Sequence, residues 1–142
     1  MKFLAIVPLL FVFLTSCWKE DKIDYAGLHN NPFDPGYYGS SVFHFDTTYD
    51  RITVIPGVGD FHTQAFEFTA NSSLFLHPTE YQVHIKDLVS NDVFVLDPID
   101  PGGDRFRYDR LVFLHGQELC LEVALSNSGS YARPETICGT LP

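Results

Sequence analysis

Six histidines are the first residues in this chain that could do chemistry: His29, His44, His62, His77, His84 and His115. They stand singly. A zinc hydrolase of the common helical kind needs two histidines one turn apart around a glutamate, and no such spacing occurs. There is also no Gly-x-Ser-x-Gly elbow, phosphate-binding loop or dinucleotide fingerprint. The loop Asp97-Pro98-Ile99-Asp100-Pro101-Gly102-Gly103-Asp104 gathers three carboxylates. Calcium takes about six to eight oxygen ligands, and the spacing here follows no EF-hand pattern, so a solvated turn is the preferred reading. Cys17, Cys120 and Cys138 are too few and too far apart for a tetrahedral zinc site. The chain therefore reads as a non-enzyme, with no catalytic residue, no metal and no cofactor expected.

Composition narrows the class further. A chain of 142 residues makes one domain of ordinary size. With 45% hydrophobic, 15% aromatic and only 19% charged residues it is not intrinsically disordered. Nine basic residues against eighteen acidic leave no surplus of cations to neutralise phosphates, which excludes nucleic acid as a partner.

The apolar residues are unevenly spread. Lys2 precedes an apolar run from Phe3 to Leu14, followed by small Thr15 and Ser16 and then Cys17. A helix over that run would reach only ~18 Å, whereas a bilayer core is about 30 Å thick. The run thus reads as a secretory signal rather than a permanent span. A buried core helix is the plain alternative, and Pro8 and the lack of a polar face count against it. Leu14-Thr15-Ser16-Cys17 resembles the lipobox of bacterial lipoproteins. The resemblance implies cleavage before Cys17, a diacylglycerol thioether on its sulfur and an acylated new amino terminus. One acyl chain holds a protein to a membrane only reversibly, so several on one residue make a firm anchor. The alternative is an ordinary signal peptide with a coincidental cysteine.

Trp18-Lys19-Glu20-Asp21 resembles the acidic export signal of surface-displayed lipoproteins in some Gram-negative lineages, and reads equally as the charged start of a linker. Residues 17–38 have a tether's composition, rich in Gly, Asn, Pro and Asp. Within them Asn31-Pro32-Phe33-Asp34-Pro35 excludes a helix interior or a central strand, and could form a turn that docks Phe33 on the domain. This segment, with Tyr37 and Tyr38 after it, also looks like a linker of the same lipoprotein class. The expected organisation is a signal peptide at 1–16, a lipid-anchored tether at 17–38 and one folded domain at 39–142. Loss of Lys2 with the signal takes the side-chain charge from -9 to -10.

Period-two alternation dominates the rest. Strands are expected around Val42–Phe45, Arg51–Ile55, Thr63–Thr69, Tyr81–Lys86, Val93–Leu96, Arg105–Asp109, Leu111–Leu114, Leu119–Leu125 and Thr136–Cys138, separated by Gly-, Pro- and Asn-rich turns. No segment sustains a helical period beyond two turns. The pattern predicts an all-β fold, an antiparallel β-sandwich of about seven strands. Leu119 to Pro134, ending at Thr140-Leu141-Pro142, is similar to the last two strands of a fibronectin type III domain. Leu119 stands where that family carries its corner tyrosine, and the single tryptophan, Trp18, lies in the tether.

With Cys17 given to lipid, Cys120 and Cys138 are an even pair in an exported chain and read as a disulfide. In a hairpin centred on Gly129 they would lie opposite each other, close enough for a bond. Two reduced buried cysteines are the alternative. Asp46-Thr47-Thr48 resembles the short O-glycosylation acceptor of exported proteins in some Gram-negative lineages, which would put a sugar on Thr47. Tyr131, just past the hairpin tip, could contact a glycan or a protein, or fold back onto its own strand. The expected function is an outer-membrane lipoprotein, facing outward or toward the periplasm, that presents a non-catalytic sandwich for binding or adhesion. Its partners would be the membrane, through Cys17, and a protein or glycan. The alternatives are an accessory subunit of a larger envelope complex and, less favoured, a small enzyme.

Overall fold

The computed structural model describes residues 30–75, 80–111, 115–127 and 130–142; the signal run, Cys17, His29 and His77 fall outside these, as do Val112–Leu114. Among the described residues eight strands and one short 3-10 turn are formed, all pairings being antiparallel. One sheet has the order β1-β2-β5, made by β1 (Phe43–Ile55), β2 (Gly59–Ala70) and β5 (Arg105–Arg110). The other runs β4 (Val93–Leu96), β3 (Gln82–Asp87), β6 (Glu118–Asn127), with β7 (Ser130–Tyr131) and β8 (Glu135–Thr140) sharing the far edge of β6. The fold is therefore the antiparallel sandwich that the alternation implies.

Two departures have physical causes. The two short runs expected around Phe45 and Ile52 are one strand, because a bulge at Asp46 lets β1 continue across the polar stretch between them. The bulge keeps Phe43 facing Phe68 inside the sandwich, while the Asp46 carboxylate accepts the Thr69 hydroxyl at 2.6 Å. β5 ends at Arg110 with Leu111 exposed, and the rest of the strand expected at Leu111–Leu114 lies outside the described residues. The expected last strand, Thr136–Cys138, forms within β8, and a short additional strand, β7, precedes it. On the β6 side Ser126 pairs with Tyr131 and Val123 with Glu135, so two residues face three across Ala132–Pro134. Pro134 has no N–H to give the ladder, and the extra residue resets the alternation so that Ala132 and Ile137 both point inward.

The inner faces supply the core. Leu119, Leu121, Val123 and Leu125 of β6 are completely buried against Phe66 and Phe68 of β2 and Phe106 of β5. Leu119 is thus an apolar packing residue. β8 closes one side of the sandwich against β1: Thr48 donates its hydroxyl to the Thr140 carbonyl at 2.6 Å, and a Cβ at Gly139 would overlap the Phe45 ring. At the tip of the β1–β2 hairpin Gly57 has φ +80°, a conformation that favours glycine. β5 pairs with β2 only from Gln64 to Thr69, so the distal part of this hairpin projects with Ile52, Val54 and Val58 exposed.

The segment before β1 is part of the packed unit. Asn31 and Asp34 each take a backbone N–H two residues on with a side-chain oxygen, and their carbonyls accept from Asp34 and Tyr37. These turns drive Phe33 and Tyr37 into the core. Phe33 packs on Phe75, Phe75 on Tyr81, Tyr81 on Phe106 and Phe106 on Phe68, with ring centroids 5.1 to 6.2 Å apart. The docking turn, one of the readings open for Asn31–Pro35, is what forms, so packing begins ahead of residue 39.

Candidate functional site

Where this docked segment meets the divided strand, a cleft of about 510 Å³ opens. Tyr37 and Val42 form one wall, Ala132 and Pro134 the other, with Leu125 between them. Glu135 fixes the geometry. Its carboxylate accepts the Ser41 hydroxyl at 2.7 Å and the backbone N–H groups of Val42 and Phe43 at 2.9 to 3.2 Å. Burial, and then the nearby Glu135 charge, raise the Tyr37 phenol above its ordinary value, so it stays a neutral donor to the Ser40 carbonyl. Tyr38 and Arg133 line the cleft as exposed side chains. Arg133 has no ion-pair partner among the described residues. The walls thus offer an aromatic ring, a guanidinium and hydroxyls, the groups that grip a glycan or a peptide. Glu135 is held by donors on both oxygens.

Tyr131 lies on the outer face of the β6 sheet, 64% exposed, with its ring 5.2 Å from the His84 ring. His84 in turn meets Ser126 Oγ at 2.7 Å through Nε2. Strand register creates this contact, since Gln82 pairs with Ser126 and His84 with Ala124. A serine–histidine pair is the start of a nucleophilic constellation, but no hydrogen bond among the described residues orients the other ring nitrogen, and Ser126 is buried.

The two cysteines form a disulfide, Cys120 opposite Cys138 with Cα atoms 4.1 Å apart. They alternate with buried Leu119, Leu121 and Ile137, so the bond crosses the outer face of the sheet. Glu118 lies near both sulfurs, but sulfurs bonded to each other offer no thiolate to a metal. Thr47 is exposed beside the bulge in β1. In the acidic loop the Asp104 carboxylate is turned to the Ser72 hydroxyl, at 2.6 Å, and to the Tyr81 phenol, at 3.4 Å, so it acts as a brace of the aromatic row.

A buried ion pair escaped the sequence reading. Asp87, completely buried, accepts the backbone N–H groups of Val89 and Ser90 on Oδ1, and Tyr108 and Arg110 on Oδ2 at 3.0 and 2.7 Å. Burial foremost, and then the Asp87 hydrogen bond and charge, push the Tyr108 phenol well above its ordinary range. The only sequence signal was an aspartate ending an apolar alternation on the inward side. A second cleft of about 290 Å³ opens beside this pair, between β4 and β5.

The chain matches no family model, no curated protein and no solved structure.

Proposed function

We propose that this chain is a lipid-anchored lipoprotein of a bacterial outer membrane that presents a non-catalytic, fibronectin type III-like sandwich as a binding or adhesion module. The observation that carries the reading is Leu14-Thr15-Ser16-Cys17 directly after a short apolar run, the arrangement that lipoprotein processing requires. The disulfide supports an oxidising compartment, because an exposed pair on a sheet surface stays reduced in the cytosol. The two antiparallel sheets, β1-β2-β5 and β4-β3-β6-β8, have the sandwich architecture that a fibronectin type III-like assignment needs. The cleft beside Tyr38 and Arg133 is the binding surface in this reading, with a glycan or peptide as ligand, and Tyr131 is a further contact on the neighbouring outer face. Thr47 is the O-glycan acceptor, a role its exposure permits.

Metabolic labelling with palmitate tests the anchor: the wild-type chain takes up label and Cys17→Ser does not. Equal labelling of both would overturn the assignment. Protease added to intact cells tests display, with degradation expected for an outward-facing domain and full protection for a periplasmic one. The accessory-subunit reading is favoured by one feature, an unpaired apolar edge at β4.

A further inference from the structure

β4 is the outermost strand of its sheet, pairing with β3 on one side only. The Asp92 carbonyl accepts the Asp87 N–H at 3.0 Å, which fixes the alternation of the ladder. Phe94 and Leu96 turn their backbone groups to β3, and Val93 and Val95 turn theirs to the open edge. The four residues of β4 make it short, but within the strand there is no proline, lysine or bulge to guard the edge. Its side chains are exposed as well, Val93 at 65% and Val95 at 53%. β5 is likewise the outer strand of the facing sheet; the Pro98–Phe106 bridge pairs its start, and the second cleft lies past that bridge, between β4 and the end of β5. The cleft is walled by Phe94, Tyr108 and Leu111, and Arg110 lines it with a buried Nε–H that has no acceptor among the described residues.

Charge decides what can fill this edge. Exposed Asp92 and Asp97 bracket the apolar strand, and the nearest cation on the sheet is Lys86, one strand further in and opposite Val93. A second copy would bring acidic ends against acidic ends, in a chain of net charge -9. A strand with basic residues on both sides of an apolar centre would pair them with Asp92 and Asp97 and supply carbonyls to the open edge. We infer that β4 is a docking edge for an extended, basic-flanked apolar segment of a partner protein, which joins the sheet as an added strand and covers the cleft at Arg110. The inference goes beyond the cleft-binding reading and rests on the accessory-subunit reading, for which it names a class of partner. It does not involve the anchor, so the two fail separately.

The test uses the full-length chain and an acetylated peptide, Arg-Lys-Val-Thr-Val-Thr-Val-Lys-Arg, followed by fluorescence anisotropy. The basic peptide should bind saturably, and the same sequence with Glu at the flanks at least about tenfold more weakly at low salt. That gap should close at ~1 M salt, where screening shortens to about 3 Å. Val95→Pro removes an outward N–H without touching the β3 ladder, and should weaken binding at least about tenfold at unchanged melting temperature. Val95→Lys, on an exposed side chain, should weaken it similarly by charge. No saturable binding, equal binding of the Glu-flanked peptide, or unchanged binding by both variants would overturn the proposal. So would a dimer in sedimentation that Val95→Lys abolishes, which would make a second copy the occupant.

Discussion

The Asp87–Arg110–Tyr108 cluster shows how residue identity alone under-describes a site. Asp87 looks like a strand-ending turn residue, yet four donors converge on a carboxylate with no solvent exposure. Removing one partner of such a pair strands the other charge, so Asp87→Ala should destabilise the fold by roughly 3–5 kcal/mol in urea titration. The phenols give a pH prediction. Tyr81 is pushed up to about 12, first by burial and then by the Asp104 charge and hydrogen bond. Tyr37, Tyr49 and Tyr108 are raised too. A raised folded-state value means the native chain holds protons that the unfolded chain releases from its ordinary value near 10. The stabilisation is complete below pH ~10 and is lost as pH rises toward 12. Alkaline unfolding should therefore begin above pH ~10, with phenolate absorbance rising together with loss of structure; ionisation of all tyrosines without unfolding would contradict this. The disulfide was legible because Gly129 could be placed at the hairpin centre. Its bond spans 18 residues, and the Cys120→Ser, Cys138→Ser double variant should lose about 3 kcal/mol in the chain-entropy account. Mass spectrometry without reductant should recover the two cysteines on one linked peptide.

Strands were legible where alternation was clean. β3, β5 and β6 bury every second residue, and the alternation of Val83/Ile85, Phe106/Tyr108 and Leu119–Leu125 announces it. What alternation hides is a change of phase. The bulge at Asp46 and the extra residue near Pro134 each shift the pattern by one, and a sequence read in period two sees two short strands or a premature end. The docked Asn31–Tyr37 segment was ambiguous for another reason: its turns are local, but the burial of Phe33 depends on Phe75 and Tyr81, far along the chain. Phe33→Ala should cost about 3 kcal/mol by thermal denaturation if the segment belongs to the cooperative unit. An unchanged melting temperature would make it an appended tether. The clefts could not be read at all, since each lies between elements that only the sheet order brings together.

At the scale of the whole molecule, the near-neutral mean hydropathy of +0.01 averages two unlike parts. An apolar N-terminal run is followed by an acidic sequence whose described sheets have aromatic and aliphatic inner faces and carry on their outer faces a disulfide, an ion-pair network and an open strand. On the outer face of the β1-β2-β5 sheet, Arg51, Arg105 and Arg107 are matched by Glu67 and Asp109 at 2.7 to 3.9 Å. These pairs neutralise three of the six described cations, Arg51, Arg105 and Arg107, and the proposed lipid anchor needs no basic surface to hold the module near a membrane. The central claim is that Cys17 holds the chain to the membrane. Fractionation of cells expressing the wild-type chain or Cys17→Ser, with carbonate and high-salt washing of the membranes, tests it most directly. The account predicts that the wild-type chain stays in the washed membranes and that Cys17→Ser is recovered in the soluble fraction. A Cys17→Ser chain that resists the same washing would contradict it.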